Sequence, residues 1–300
     1  MVGTVLLKAN FRVPFSCVSS HDRSHLPLKA TATAVTITNP HPYWASLQAD
    51  VEAHLKQAIP IKEPLVVYEP MHHLVFTAPR TTVPALCLAA CELVGGQRHQ
   101  AMAPASAFLL FQAATHTHEH LPLTDRPEPK PEPVVHHACS PNIELLTGDG
   151  IIPFAFELLA RSDDPAQGNS ERILRVIIEI SRAVGSEGLI TAQYMKAMKA
   201  FQSDGKKLHH VESIKHVAVK NEGGLHACGA ACGAVMGGGS EDEIERLRNY
   251  GFYVGMMRSM LQRGFKEEVE ELRNLALNEL QFFKDRDIDA ISSFINFYVQ

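Results

Sequence analysis

The sequence predicts an all-α protein, because helical spacing of apolar residues recurs along it and strand-type alternation is almost absent. A capping box supports this prediction: Ser240 is followed three residues later by Glu243, and acidic residues occupy the positive end of the helix. A further run has apolar residues three or four positions apart, namely Ile173, Val176, Ile177, Ile180 and Val184. These patterns together indicate a large helical bundle.

Composition excludes several functional classes. The 300 residues are 45% apolar and 20% charged, with 28 basic and 33 acidic side chains, as expected for a globular protein. No basic excess points to nucleic acid, and the apolar run over residues 101–115 is shorter than the roughly 18 residues of a membrane span. Six cysteines are too few for a disulfide scaffold, so a reducing compartment is expected.

The first 40 residues differ from the rest. They hold four basic residues and one acidic residue, with many Ser, Thr, Ala and Val, a composition typical of an organelle transit peptide. A disordered tail without targeting function is the alternative. We therefore expect residues 1–40 to be an organelle transit peptide or a disordered segment, and residues 41–300 to form the all-α domain.

The remaining helices are predicted from apolar spacing in chain order. Val269, Leu272, Ala276, Leu280 and Phe283 form the apolar face of a helix near the C-terminus. Gly237, Gly238 and Gly239 are predicted to form a turn ahead of the capping box. Further helices are expected near residues 43–58, 65–77, 83–94, 100–118, 143–160, 187–200, 208–236 and 287–298.

A proline-rich segment interrupts the helical pattern. Its prolines alternate with charged residues, which excludes a helix and favours an extended, polyproline-like conformation. A solvated surface loop and a docking segment for another subunit both remain open. The prolines are Pro122, Pro127, Pro129, Pro131 and Pro133.

Imidazoles and a thiol on either side of this segment raise the question of a zinc site. On a helix only His116 and His120 share a face, and the intervening prolines make a tetrahedral site hard to close. Partly exposed histidines at a helix end are the favoured interpretation. The residues concerned are His116, His118, His120, His136, His137 and Cys139.

Two Cys-x-x-x-Cys pairs are more informative. Cys87 and Cys91 share one helix face, as do Cys228 and Cys232, and we expect all four to be free thiols because a bridge within a pair would distort its helix. The small residues around the second pair allow another helix to approach closely. That helix could belong to another subunit or to this chain's own core.

Several separated blocks resemble the trans-isoprenyl diphosphate synthase family, and the two Cys pairs resemble those of the plant geranyl diphosphate synthase small subunits in it. The resemblance covers about residues 40–300 and implies a helical bundle of the isoprenyl diphosphate synthase type. The blocks are Cys87–Gly96 (CLAACELVGG), His118–Pro122 (HEHLP), Leu146–Asp149 (LTGD), Gly185–Gln193 (GSEGLITAQ), Lys215 and Gly237–Gly251 (GGGSEDEIERLRNYG).

Catalytic members of that family hold Mg²⁺ between two aspartate-rich segments to ionise an allylic diphosphate. In the first segment this chain has Glu119, His120 and Asp125 at the aspartate positions, so two of the three ligands differ. In the second, Gln262, Arg263 and Lys266 leave no carboxylate. The isopentenyl diphosphate motif also loses both of its arginines, over residues 78–84.

The resemblance therefore implies a noncatalytic, regulatory small subunit without a catalytic residue, metal or cofactor of its own. It would join a catalytic geranylgeranyl or geranyl diphosphate synthase large subunit in plastids, which holds Mg²⁺, and direct the complex to geranyl diphosphate from isopentenyl and dimethylallyl diphosphates. Cys87, Cys91, Cys228 and Cys232 are expected at or beneath the subunit contact. An active prenyltransferase with atypical ligands and a helical metal-binding or scaffold protein are the alternatives.

Overall fold

The fold is built from helices throughout the part of the chain that the computed structural model describes, which is residues 42–121, 138–201 and 217–296. The first seven helices are α1 (Pro42–Ala58), α2 (Leu65–Thr77), α3 (Val83–Leu93), α4 (Met102–His120), α5 (Pro141–Arg161), α6 (Ser170–Val184) and α7 (Leu189–Phe201). The last four are α8 (Gly224–Gly237), α9 (Glu241–Leu261), α10 (Lys266–Leu280) and α11 (Asp289–Asn296). The prediction of an all-α fold is confirmed.

Helix α8 lies at the centre of the bundle. It packs along α3 on one side and α9 on another, and it also contacts α6 and α4. All but a few of its side chains are buried, and most of them are Ala, Gly or Cys. Small side chains let several helices surround α8 at close range, so this helix organises the core.

The two ends of the described chain meet. Trp44 on α1 is buried, with its ring centroid 4.1 Å from that of Phe294 on α11. Its indole Nε1 donates a hydrogen bond to Ser293 Oγ at 2.7 Å. Burial of the large ring together with a satisfied N–H ties α1 to α11.

Most of the helix boundaries lie close to those predicted from the sequence. Ser240 forms the predicted capping box with Glu243, and Gly238 makes the turn before it with φ +81°. One helix differs from its prediction: within the region 208–236, residues Val219–Gly223 form a π-helical turn ahead of α8. The wider turn lies where Gly255 of α9 closely approaches the carbonyl of Glu222.

Some predictions fall on residues outside the described ranges. They concern the segment 1–40, the proline-rich stretch, Asp125, His136, His137 and Lys215. Among the described residues, no helix is both long and apolar enough to cross a membrane.

Candidate functional site

The four predicted cysteines lie together in the core between α3 and α8. All four side chains are buried, and Cys228 Sγ is 3.8 Å from Cys232 Sγ. All are free thiols, as predicted. Burial raises the pKa of Cys87 and Cys232 well above the ordinary value and raises that of Cys91 to about 12. The thiols of Cys87, Cys91 and Cys232 therefore stay protonated, and all four buried cysteines pack as small apolar side chains.

The small-residue face of α8 contacts α3 of the same chain. A Cβ added at Gly233 would stand 1.9 Å from the carbonyl oxygen of Cys87, and one added at Gly237 would stand 2.7 Å from that of Cys91. At Gly229 the added atom would meet Val83 Cγ1 at 2.6 Å. The close helix contact that the sequence predicts is thus within this chain's core. A subunit contact above these thiols stays a prediction.

A largely buried polar cluster joins the residue that precedes α3 to α8 and α9. Thr82 Oγ1 lies 2.8 Å from His226 Nε2 and accepts a hydrogen bond from Arg258 Nη1 at 3.3 Å. His226 Nδ1 lies 2.7 Å from the carbonyl oxygen of Glu222. A neutral imidazole that carries its proton on Nδ1 satisfies all of these contacts, with the Thr82 hydroxyl donating to Nε2.

Burial keeps this imidazole neutral. His226 is fully buried, and burial lowers its pKa to about 4, an effect that the nearby Glu222 carboxylate opposes and Arg258 reinforces. This cluster is not predicted by the sequence. A single histidine among small apolar residues was its only local signal, and Thr82 lies 144 residues from His226 and 176 residues from Arg258.

Glu119, which the resemblance assigns to the first metal segment, lies on the last turn of α4 and is paired with α7. Its Oε1 accepts hydrogen bonds from Gln193 Nε2 at 2.6 Å and Lys196 Nζ at 2.9 Å. Burial raises its pKa, but the charge and hydrogen bond of Lys196, the hydrogen bond of Gln193 and the charge of His120 together outweigh burial, so the net shift is downward. The carboxylate is therefore ionised and already balanced by an internal cation.

The histidines near Glu119 do not converge on one point. His120 Nδ1 donates to the carbonyl oxygen of His116 at 2.7 Å, and the two rings lie 4.1 Å apart, as expected from their shared helix face. His118 points elsewhere, with Nε2 3.2 Å from Asp149 Oδ1 on α5. Within residues 42–121, 138–201 and 217–296, no three His, Cys, Asp or Glu side chains are grouped to hold a metal.

The resemblance assigns Gln262, Arg263 and Lys266 to the second metal segment, and two of these side chains are cationic. Gln262 and Arg263 follow α9, and Lys266 begins α10. The Arg263 guanidinium bonds back to its own helix, with Nη1 2.8 Å from the carbonyl oxygen of Ser259 and 2.6 Å from its Oγ. With ammonium or guanidinium groups at both segments and one balanced carboxylate, the described residues do not fit a Mg²⁺ site.

A narrow cavity lies between α3, α4, α7 and α8. It has room for about one water molecule, which is too little to enclose a prenyl diphosphate. In the segment 78–84 that borders it, Arg80 pairs with Glu52 of α1 and Val83 packs against Gly229. The cavity is lined by Thr81, Val83, Phe108, Phe111, Gln112, Thr115, Leu189 and Leu225.

Comparison with solved structures defines the class of protein. The chain superposes with a TM-score of 0.77 and 51% identity on the geranyl diphosphate synthase small subunit from Antirrhinum majus, over 85% of this chain and 97% of that one. It superposes with a TM-score of 0.73 and 43% identity on a chain of the mint heterotetrameric geranyl pyrophosphate synthase, over 87% and 100% of the two chains. The architecture is therefore that of the isoprenyl diphosphate synthases.

Sequence comparison then defines the family. The chain is 46% identical over 293 residues to the chloroplastic heterodimeric geranylgeranyl pyrophosphate synthase small subunit 1 of Cannabis sativa, covering 94% of this chain and 92% of that protein. The chain belongs to the small-subunit family of heteromeric prenyl diphosphate synthases. No protein-family model matches it.

Proposed function

We propose that the chain is a noncatalytic, regulatory small subunit that binds a catalytic geranyl or geranylgeranyl diphosphate synthase large subunit. The observation that carries this proposal is the charge at the two metal segments. Glu119 is held by Lys196, and Arg263 and Lys266 stand where catalytic relatives carry carboxylates. Mg²⁺ and the diphosphate chemistry therefore belong to the partner subunit.

The complex is proposed to make geranyl diphosphate, a C10 product, from isopentenyl and dimethylallyl diphosphates for monoterpene synthesis. Similarity to the Antirrhinum majus and mint proteins, both named for geranyl products, supports the C10 assignment. The Cannabis sativa relative is named for a geranylgeranyl product, which supports a C20 complex as the second candidate. Its chloroplastic name supports a plastid location for this chain.

Exposed apolar side chains supply a candidate contact face for the large subunit. Leu174 and Ile178 lie one turn apart on α6, and their side chains stay 59% and 44% exposed. Helix α6 packs against α5 and α7, which also expose large apolar residues. These additional residues are Leu145, Leu146, Ile190 and Tyr194. Exposed groups of this kind are typical of protein interfaces.

Mixing experiments test the proposal. The chain is co-purified with a large subunit, and the C10 and C20 products are compared with those of the large subunit alone. We expect a stable complex with an increased C10 fraction. A complex that makes only C20 product would favour the second candidate, and the absence of any complex would contradict the subunit role.

The isolated chain is the control for catalysis. Supplied with Mg²⁺ and both C5 diphosphates, it is expected to form no product, because two cationic side chains occupy its second metal segment. Turnover by the isolated chain, abolished by Glu119→Gln, would establish the alternative of an active prenyltransferase with atypical ligands.

A further inference from the structure

The ion pair between Glu119 and Lys196 joins two helices at the segment that the resemblance assigns to metal binding. Glu119 is on the last turn of α4, and Lys196 and Gln193 lie one turn apart on α7. Both donors reach the same oxygen, Oε1, at 2.9 and 2.6 Å. The contact therefore connects the end of α4 directly to α7, across more than 70 residues of sequence.

Both partners of this pair are partly sheltered from water. The side chain of Glu119 is 32% exposed and that of Lys196 is 38% exposed. Glu119 Oε1 receives an amide hydrogen bond as well as the ammonium, which fixes the carboxylate more firmly than a single contact on a fully exposed surface.

A divalent cation would have to compete with this arrangement. An ammonium 2.9 Å from the carboxylate oxygen repels an incoming cation, and the amide of Gln193 takes up another direction of approach to the same oxygen. At the other segment the Arg263 guanidinium donates hydrogen bonds to Ser259. Because both acceptor oxygens are neutral, these bonds leave the positive charge of Arg263 in place, and that charge also repels a metal cation.

We propose that Lys196 is a built-in cation that replaces the divalent metal at Glu119 and latches the end of α4 to α7. Because the cation is a side chain of the protein itself, the position of the α4 end relative to α7 does not depend on the Mg²⁺ concentration. This inference concerns the isolated chain and does not rest on its proposed role as a subunit. It predicts a protein whose stability does not respond to divalent cations.

Thermal unfolding of the full chain with and without Mn²⁺ or Mg²⁺ tests the latch. Lys196→Met is expected to lower Tm by about 2 to 4 °C in chelator, since it keeps the apolar stem and removes the charge. Lys196→Arg, which keeps the charge, is expected to lower it less. The wild-type Tm is expected to be the same in chelator and in millimolar Mn²⁺.

Reversing the charge of Lys196 gives a more discriminating test. Lys196→Glu places two carboxylates together, so Tm is expected to fall in chelator and to recover in part with Mn²⁺. The exchanged pair, Glu119→Lys with Lys196→Glu, restores opposite charges and is expected to recover Tm without metal. It also keeps the test valid if the single reversal fails to fold.

Two results would overturn the latch. One is a wild-type response to Mn²⁺ that Glu119→Gln removes, because this would mean that metal binds at the carboxylate despite Lys196. The other is a double-mutant cycle between Glu119→Gln and Lys196→Met with no coupling in Tm, because the pair would then stabilise nothing. Neither result depends on partner binding or on prenyl products.

Discussion

At the scale of the residue, His226 is the clearest case of a side chain whose charge state is set by its surroundings. Burial holds its pKa at about 4, while in the unfolded chain an imidazole titrates near pH 6.5. Between these two pH values His226 is protonated in the unfolded chain and neutral in the folded protein. The contribution of His226 to stability is thus fully present above about pH 6.5 and is lost as the pH falls toward 4.

We expect the free energy of unfolding to decline over this pH range less steeply in His226→Gln than in the wild type. Urea unfolding at intervals between pH 4.5 and pH 8 measures both slopes. Burial lowers the pKa of His54 and His116 as well, so some decline remains in the variant. Identical slopes in the two proteins would contradict the assignment.

The residues of this polar cluster also mark the limit of sequence reasoning. Cysteine spacing and the altered acidic segments can be recognised locally, because each lies within a few residues of sequence. Thr82, His226 and Arg258 come together only after α3, α8 and α9 have packed, and no local spacing relates them. The balancing of Glu119 by Lys196 depends in the same way on the placement of α4 against α7.

At the scale of the element, the α3 and α8 pair depends on the absence of side chains at one face of α8. Gly233→Ala would place a methyl group 1.9 Å from the Cys87 carbonyl oxygen, which is backbone and cannot rotate away. We expect this variant to lose about 1 to 3 kcal/mol of stability, despite the better helix propensity of alanine.

Gly150→Ala is the matched control. Gly150 lies within α5, and no atom stands within 4 Å of an added Cβ. There alanine is expected to stabilise by about 0.5 to 1 kcal/mol. Chemical unfolding of the two variants gives both values, and a Gly233→Ala protein as stable as the Gly150→Ala protein would contradict the close helix contact.

The cysteine pairs of these helices give a prediction about assembly. Cys→Ala or Cys→Ser replacement in either pair is expected to weaken binding to the large subunit, since it loosens the α3 and α8 packing by about 1 kcal/mol per buried thiol. Affinity and unfolding free energy are measured on the same variants. Unchanged affinity in variants with reduced stability would restrict the thiols to a core role.

Sequence patterns identify most elements because their determinants are local. The Ser240 capping box and the apolar faces of α6 and α10, whose residues recur three or four positions apart, lie within single helices, and those helices were predicted. The π-helical turn at Val219–Gly223 was missed, because Gly255, which closely approaches the Glu222 carbonyl, lies 33 residues further along the chain.

At the scale of the whole molecule, the exposed apolar residues Leu174 and Ile178 of α6 predict which substitutions weaken association with the large subunit. Leu174→Glu and Ile178→Glu are each expected to weaken binding to the large subunit at least tenfold, roughly 1.4 kcal/mol or more. Because both side chains are about half exposed, Tm of the isolated chain is expected to change little.

Leu275→Glu provides the control for this face. Leu275 is 40% exposed on α10, a comparable apolar position on another helix. Light scattering and surface-binding measurements report the assembly of all three variants. Equal weakening by Leu275→Glu would mean that the effect is general loss of apolar surface and would contradict an interface on α6.

The contact of Trp44 with Ser293 and Phe294 has a practical consequence for the order of the chain itself. Since the first and last described helices touch, a short linker could join residue 296 to residue 42, and new termini could be opened in the surface turn at Asp163 to Asn169. Such a circular permutant would keep the described helices in place and would begin and end between α5 and α6. Domains could then be fused to the protein at that turn.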